Sequence, residues 1–204
     1  MRLQLPHEIS GYLTLLRSSK HTRRALSGAG KKVWRMITIR QVTVEDAERF
    51  LQLRQQIDRE TKFMMLEPGE RQLTIEQERE RLKNILAADN QMTFLAEDDR
   101  QIVGFLWANG GAYRRNHHNV HIVIGILHAY TNQGIGTRLF QVCETWARER
   151  GLHRLELTVM THNHLGFALY QKMGFEIEGT AKDAMKVDGN YVDLHYMSKL
   201  LSID

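Results

Sequence analysis

The stretch Tyr130-Thr131-Asn132-Gln133-Gly134-Ile135-Gly136-Thr137 holds the residues best suited to chemistry in this chain. Two glycines one residue apart let a backbone curl closely around a ligand, because neither carries a Cβ. An amphipathic segment follows, so unpaired N–H groups and the positive end of a helix dipole stand at the same place. Together these form an anion cradle suited to a pyrophosphate. Two familiar cradles are excluded. A P-loop needs a lysine directly after its last glycine, but Gly136 is followed by Thr137 and Arg138. A dinucleotide fingerprint needs a third glycine where Leu139 stands. Metal chemistry is not expected. His117-His118-Asn119-Val120-His121 and His162-Asn163-His164 lack a helical His-Glu-x-x-His arrangement, and residues three apart on a strand face opposite sides. Cys143 falls on the inner stripe of a helix and reads as core.

The elements that must position the cradle follow from periodicity. Met36–Val42 alternates as a half-buried strand. Thr43 precedes an acidic first turn, and Ala47, Phe50, Leu51 and Ile57 continue a helix on one face. Thr74-Ile75-Glu76-Gln77 is a capping box that opens a second helix. Met92–Glu97 and Ile102–Ala108 form a hairpin. The aliphatic run His121–Leu127 predicts a strand buried on both faces. Thr137–Arg150 is helical up to Gly151, with Glu144 and Arg148 on a solvated face, and Leu155–Met160 is the next strand. His164–Lys172 is a short helix. Phe175–Met185 and Tyr191–Leu200 are strands joined through Asp188-Gly189-Asn190. The order is β α α β β β α β α β β, with a parallel crossover from His121 to Met160.

Two segments resemble the signatures of the GNAT acyl-CoA N-acyltransferases. Ile126 to Leu139 is similar to their motif A. Asn163 to Phe175 is similar to their second signature, in which an Asn precedes a helix ending in Leu-Tyr-x-Lys-x-Gly-Phe. The resemblance spans residues 36–204 and implies a single α/β (α+β) domain. Its sheet would be mixed and mostly antiparallel, with a central parallel β-α-β and flanking helices. It further implies that acetyl-CoA pairs strand-like near Ile126 and Leu127, where two central strands splay apart. The pyrophosphate would lie on the amides of Gln133, Gly134, Ile135, Gly136 and Thr137, Asn163 would bond the pantetheine, and Tyr170 would aim its hydroxyl at the sulfur. The family usually carries Arg or Gln where Thr131 stands, which implies weaker cofactor affinity. No general base is evident: His121 is the one titratable group on the strand where many relatives carry Glu.

Among the 204 residues, 42% are hydrophobic and 25% charged, a balance that excludes a fibre or a disordered chain. A single cysteine excludes an internal disulfide framework and fits a cytoplasmic protein. The net charge of +4 is unevenly placed, with +7 on residues 1–35 and −3 on the remainder. Residues 1–35 are therefore expected to be a poorly ordered basic arm, and 36–204 the N-acetyltransferase domain. Apolar stretches are too short for a membrane span, nucleic acid is not an expected partner, and a homodimer stays open. The expected acceptor is a primary amine on a small molecule such as a free amino acid. Phe63 and Arg71 are candidate substrate residues, Arg71 as a clamp for a carboxylate. Alternatives are a ribosomal-protein N-terminal acetyltransferase and a non-catalytic acyl-CoA sensor whose arm binds nucleic acid.

Overall fold

Two tight turns set most of the sheet register. Asp99 and Arg100 both take positive φ (41° and 71°), as do Asp188 and Gly189 (50° and 83°). Consecutive left-handed residues twist two-residue hairpins in the hand that strands prefer. In the computed structural model, which describes residues 36–202, these turns join β2 (Gln91–Asp98) to β3 (Gln101–Gly110) and β6 (Glu176–Val187) to β7 (Asn190–Leu200). The basic arm, residues 1–35, lies outside the described residues.

The remaining elements are β1 (Thr38–Gln41), α1 (Ala47–Glu60), α2 (Ile75–Ala87), β4 (Asn119–Ile126), α3 (Ile135–Glu149), β5 (Arg154–Met160) and α4 (His164–Lys172). Their order is the one that periodicity predicts. The seven strands run β1-β2-β3-β4-β5-β7-β6, and every neighbouring pair is antiparallel except β4–β5. Each face has its own helices. Leu95 and Phe105 are cross-strand partners, and the Phe105 ring meets Phe50 of α1 edge-on at 5.3 Å. Phe94 and Leu106 face the other way, where Phe94 meets Trp146 of α3 at 6.1 Å. Burying each such side chain stabilises the fold by about 1.5–3 kcal/mol, so the two layers tie the helices firmly to the sheet.

Two local expectations change. Helix α3 begins two residues early, at Ile135, because Gly134 (φ 77°) serves as its N-cap. Glu144 is not simply solvated; it accepts from Lys199 Nζ of β7 at 2.6 Å, which ties α3 to the sheet. No helix among the described residues is long and apolar enough to cross a membrane.

Candidate active site

The cradle is built at the C-terminal end of β4. His128–Tyr130 forms a single 3-10 turn, Asn132 and Gly134 take positive φ (57° and 77°), and α3 begins. The first bond of the α3 ladder runs from Arg138 N–H to the Gly134 carbonyl at 3.1 Å. The amides of Ile135, Gly136 and Thr137 therefore precede the ladder and face out of the helix end. The loop is held from below and from the side. The buried Tyr130 hydroxyl donates to Asp98 at 2.9 Å, and Gln133 Nε2 and Thr131 Oγ1 donate to the carbonyls of Ala129 and His128, each at 2.9 Å. Such a pre-formed loop loses little entropy when an anion arrives.

The two glycines serve different ends. A Cβ on Gly134 would meet nothing within 4 Å, so what calls for glycine there is the left-handed φ of 77°. A Cβ on Gly136 would lie 2.7 Å from Leu169 Cδ2, so the buried Gly136 lets α3 and α4 touch. Gly136 thus has a packing role as well, while its amide still precedes the ladder with those of Ile135 and Thr137. Gly136→Val should force the helices apart and lower both the thermal midpoint and coenzyme A affinity. Gly134→Ala should cost only the left-handed strain of about 1–2 kcal/mol. Melting curves and calorimetry on the two variants test the contrast.

A cation stands beside the cradle. Lys172, at the end of α4, donates to Thr137 Oγ1 at 3.3 Å. It supplies positive charge near a loop that carries Thr131 in place of a longer polar side chain. It lies inside the second signature, yet only the packing of α4 on α3 reveals where its ammonium goes.

Below the cradle the sheet opens. β4 and β5 pair at only three positions, Asn119↔Arg154, Val120↔Leu155 and His121↔Glu156, although β4 continues to Ile126 and β5 to Met160. On its other side β4 stays paired with β3 to Ile126, and the Leu127 amide bonds Val103 O at 2.9 Å. The β5-facing edge of Ile122–Ile126 is thus a strand edge without a strand partner, at which an extended ligand could add its own hydrogen bonds.

Helix α4 follows β5 and packs against the start of α3 through Leu169. Asn163 Oδ1 accepts from Gly166 N at 3.0 Å and caps the helix, so its carboxamide oxygen is used structurally. Tyr170 is buried, with Phe140 edge-on at 5.9 Å and Phe175 at 6.2 Å. Its hydroxyl makes no hydrogen bond to a described protein group, and burial pushes the phenol up to about 12. It therefore stays protonated, as a donor, through the whole neutral range.

The α1–α2 loop and the last hairpin flank the opposite side. Phe63 is half exposed and packs 5.2 Å from His162, directly before Asn163. Lys62 pairs with Asp188 at the hairpin tip. Glu60, at the end of α1, accepts the His128 amide at 2.7 Å, which couples this loop to the cradle. Neither Glu60 nor the Tyr130–Asp98 bond carries a recognisable sequence signal; both depend on distant segments meeting. Arg71 requires a correction. Its Nε and Nη2 fork onto Asp58 at 2.6 and 2.9 Å, and both side chains are buried. The guanidinium expected to clamp a substrate carboxylate is already filled by one from α1.

A family model described as the acetyltransferase (GNAT) family matches residues 53–175, more than half of the chain. The chain belongs to the GNAT acetyltransferase family. Within GNAT proteins it is 33% identical, over 106 residues, to the L-amino acid N-acetyltransferase AaaT of Escherichia coli. That match covers 50% of this chain and 64% of the relative, so the chain spans under two thirds of that enzyme's length. Among solved structures, a GNAT acetyltransferase from Streptococcus pneumoniae is 31% identical with a TM-score of 0.79, covering 81% of this chain and 99% of that one. A ribosomal-protein-alanine N-acetyltransferase from Brucella melitensis is 26% identical with a TM-score of 0.71, covering 80% and 99%. A phosphinothricin acetyltransferase from Sinorhizobium meliloti, solved in complex with acetyl-CoA, shares the fold at 17% identity and a TM-score of 0.68, covering 81% and 88%.

Proposed function

We propose that this GNAT protein transfers an acetyl group from acetyl-CoA to the primary amine of a free L-amino acid or similar small molecule, by direct attack of the amine on the thioester. The observation that carries the reading is the opening between β4 and β5, with the free amides of Ile135–Thr137 at the start of α3 and a buried Tyr170 on α4, the helix that follows β5. A diphosphate fits the amides, an extended pantetheine fits the unpaired edge of β4, and Tyr170 can protonate the departing sulfur. The similarity to an L-amino acid N-acetyltransferase supports the acceptor class. A single, fully buried cysteine supports a reducing, cytoplasmic setting.

In the reaction the neutral amine attacks the carbonyl carbon. The C–S bond breaks with its electron pair on sulfur, and one proton passes from nitrogen to sulfur overall. Holding the two reactants in line supplies the largest share of the acceleration, worth up to about 7–11 kcal/mol. The likeness to a ribosomal-protein-alanine acetyltransferase supports a second reading, with a protein N-terminus as acceptor. Both acceptors present an α-amino group, whose ordinary pKa of about 7.7–8.0 leaves part of it neutral. The acyl-CoA sensor rested on the arm, outside the described residues.

Calorimetry with coenzyme A, followed by thiol release from acetyl-CoA with L-amino acids and with a peptide beginning in alanine, tests these readings. Saturable binding and release with free amino acids are expected. Absence of coenzyme A binding by folded protein sinks the acyl-transfer reading, and release with the peptide alone selects the second acceptor.

A further inference from the structure

Between the α1–α2 layer and the sheet, positive charge outnumbers negative. Glu78 of α2 is fully buried and takes two guanidiniums, Arg54 of α1 at 3.0 Å and Arg81 of α2 at 2.8 Å. Arg71 has Asp58 to itself. The charges of Arg81, Glu78, Arg71 and Asp58 all act on Arg54, so three guanidiniums share two carboxylates and one positive charge is left over. Burial first, and then the Arg81 charge, draw Arg54 down to about 10 against the pull of Glu78. Burying an unbalanced charge is costly, and a nearby anion relieves the cost.

Two donors mark where that anion belongs. Arg81 gives Nε and Nη2 to Glu78, while its Nη1 is buried without a hydrogen-bond partner, and so is Nε1 of Trp107. The two residues are stacked, with Arg81 Cζ 4.8 Å over the indole. Buried N–H groups nearly always have an acceptor, so two orphans in one stack call for one. Trp107 of β3 is the cross-strand partner of Val123, and directly paired residues share a face, here the face that α2 covers. The last β4–β5 pair is His121↔Glu156, so Val123 is the first residue of β4 on this face to border the opening. The stack thus stands one strand, about 5 Å, from that edge. The cradle belongs to α3, which covers the other face, and a ligand held there leaves the α1–α2 side free. The stack keeps an outlet to solvent, since the Arg81 side chain is 24% exposed and Trp107 is half-buried.

We propose that Arg81 and Trp107 bind the α-carboxylate of the acceptor, and so select free amino acids over simple amines and over peptide N-termini. The inference deepens the acyl-transfer reading above and rests on it. A small rotation of the two side chains at their exposed rim brings Nη1 and Nε1 onto the carboxylate oxygens. The incoming charge balances the third guanidinium, while Glu78 holds the far side of Arg81 in place. An α-amino acid carries amine and carboxylate on one carbon, so the amine of a bound acceptor lies next to the stack, toward the opening at Val123. A peptide N-terminus has a neutral amide in place of that carboxylate and brings no charge. The role expected of Arg71 passes to Arg81, the guanidinium that keeps a free donor.

The test is thiol release from acetyl-CoA with the common L-amino acids and, for each that reacts, its α-carboxamide, with kcat/KM referred to the neutral amine. Wild type should prefer acid over amide by about 10²-fold, in the range expected of hydrogen bonds to a charged group. Arg81→Gln should bring that preference within about threefold, chiefly through acceptor KM. Trp107→Phe keeps the stack but removes one N–H, and should reduce the preference to about tenfold. Calorimetry with coenzyme A establishes that each variant is folded. Equal use of acid and amide by wild type, or a folded Arg81→Gln that keeps the wild-type preference, overturns the proposal. Should Arg81→Gln not fold, an unchanged preference in Trp107→Phe overturns it. Wild type that binds coenzyme A yet releases no thiol with any amine brings down the acyl-transfer reading and this inference with it. Release with acid and amide alike removes this inference alone.

Discussion

Tyr170→Phe should lose about 10²-fold in kcat, some 2.7 kcal/mol of transition-state stabilisation, while coenzyme A binds as before. The ring is packed between Phe140 and Phe175, and phenylalanine fills the same volume, so the fold has no reason to change. The hydroxyl has no described protein partner, so its removal should leave the thermal midpoint level or raise it slightly. A tyrosine that served only as packing would show neither the rate loss nor this separation of rate from stability. Its ionisation gives an independent check. A phenol raised to about 12 in the fold, against about 10 when unfolded, contributes stability that is fully present below pH 10. That contribution is lost as pH rises through about 12, because the unfolded chain ionises first. Wild type should thus weaken faster than Tyr170→Phe in this alkaline window. Urea midpoints on both proteins at several alkaline pH values would settle the sign, and parallel curves would contradict the buried hydroxyl.

Asp58→Ala should be the most damaging single change to stability. The carboxylate holds the Arg71 fork where the side chains are only 2% and 7% exposed. Its loss strands a buried guanidinium at a cost of about 3–5 kcal/mol. For a chain of this size that corresponds to a drop in midpoint of roughly 6–20 °C. The pair also anchors the return of the α1–α2 loop to α1, the loop that carries Lys62 and Phe63. If the α1–α2 loop borders the acceptor as the proposed function has it, acceptor KM should rise more than coenzyme A affinity falls at temperatures where the variant is still folded. Arg71→Lys should recover charge but not the fork, and give an intermediate midpoint. A melt within two or three degrees of wild type would show that this ion pair is not what holds the loop, a margin set by about 1 kcal/mol.

Much of this molecule is legible in one dimension because its strongest signals are local. Alternation and capping boxes depend on residues a few positions apart, so they reveal the full order of strands and helices. The glycine-spaced turn before α3 and the Asn-to-Tyr helix are contiguous too, and they carry the family likeness and the identity of Gly134 and Tyr170. Element ends shift by a residue or two where a left-handed residue such as Gly134 acts as a cap.

What pairs with what across the sheet lies beyond local signals. Arg71 looks like a free cation until α1 brings Asp58 to it, since a buried charge needs a counter-charge and any loop can supply one. That Gly136 also makes room for Leu169 shows only once α4 is packed on α3. His121 and Glu156 are 35 positions apart and carry no motif, yet the parallel register sets them side by side where the two strands part. Residue order alone determined the elements and the glycine-spaced turn before α3, because these are set by neighbours in the chain. Tertiary structure decided which charges are spent on structure and which face the opening, because that depends on register and burial between distant segments.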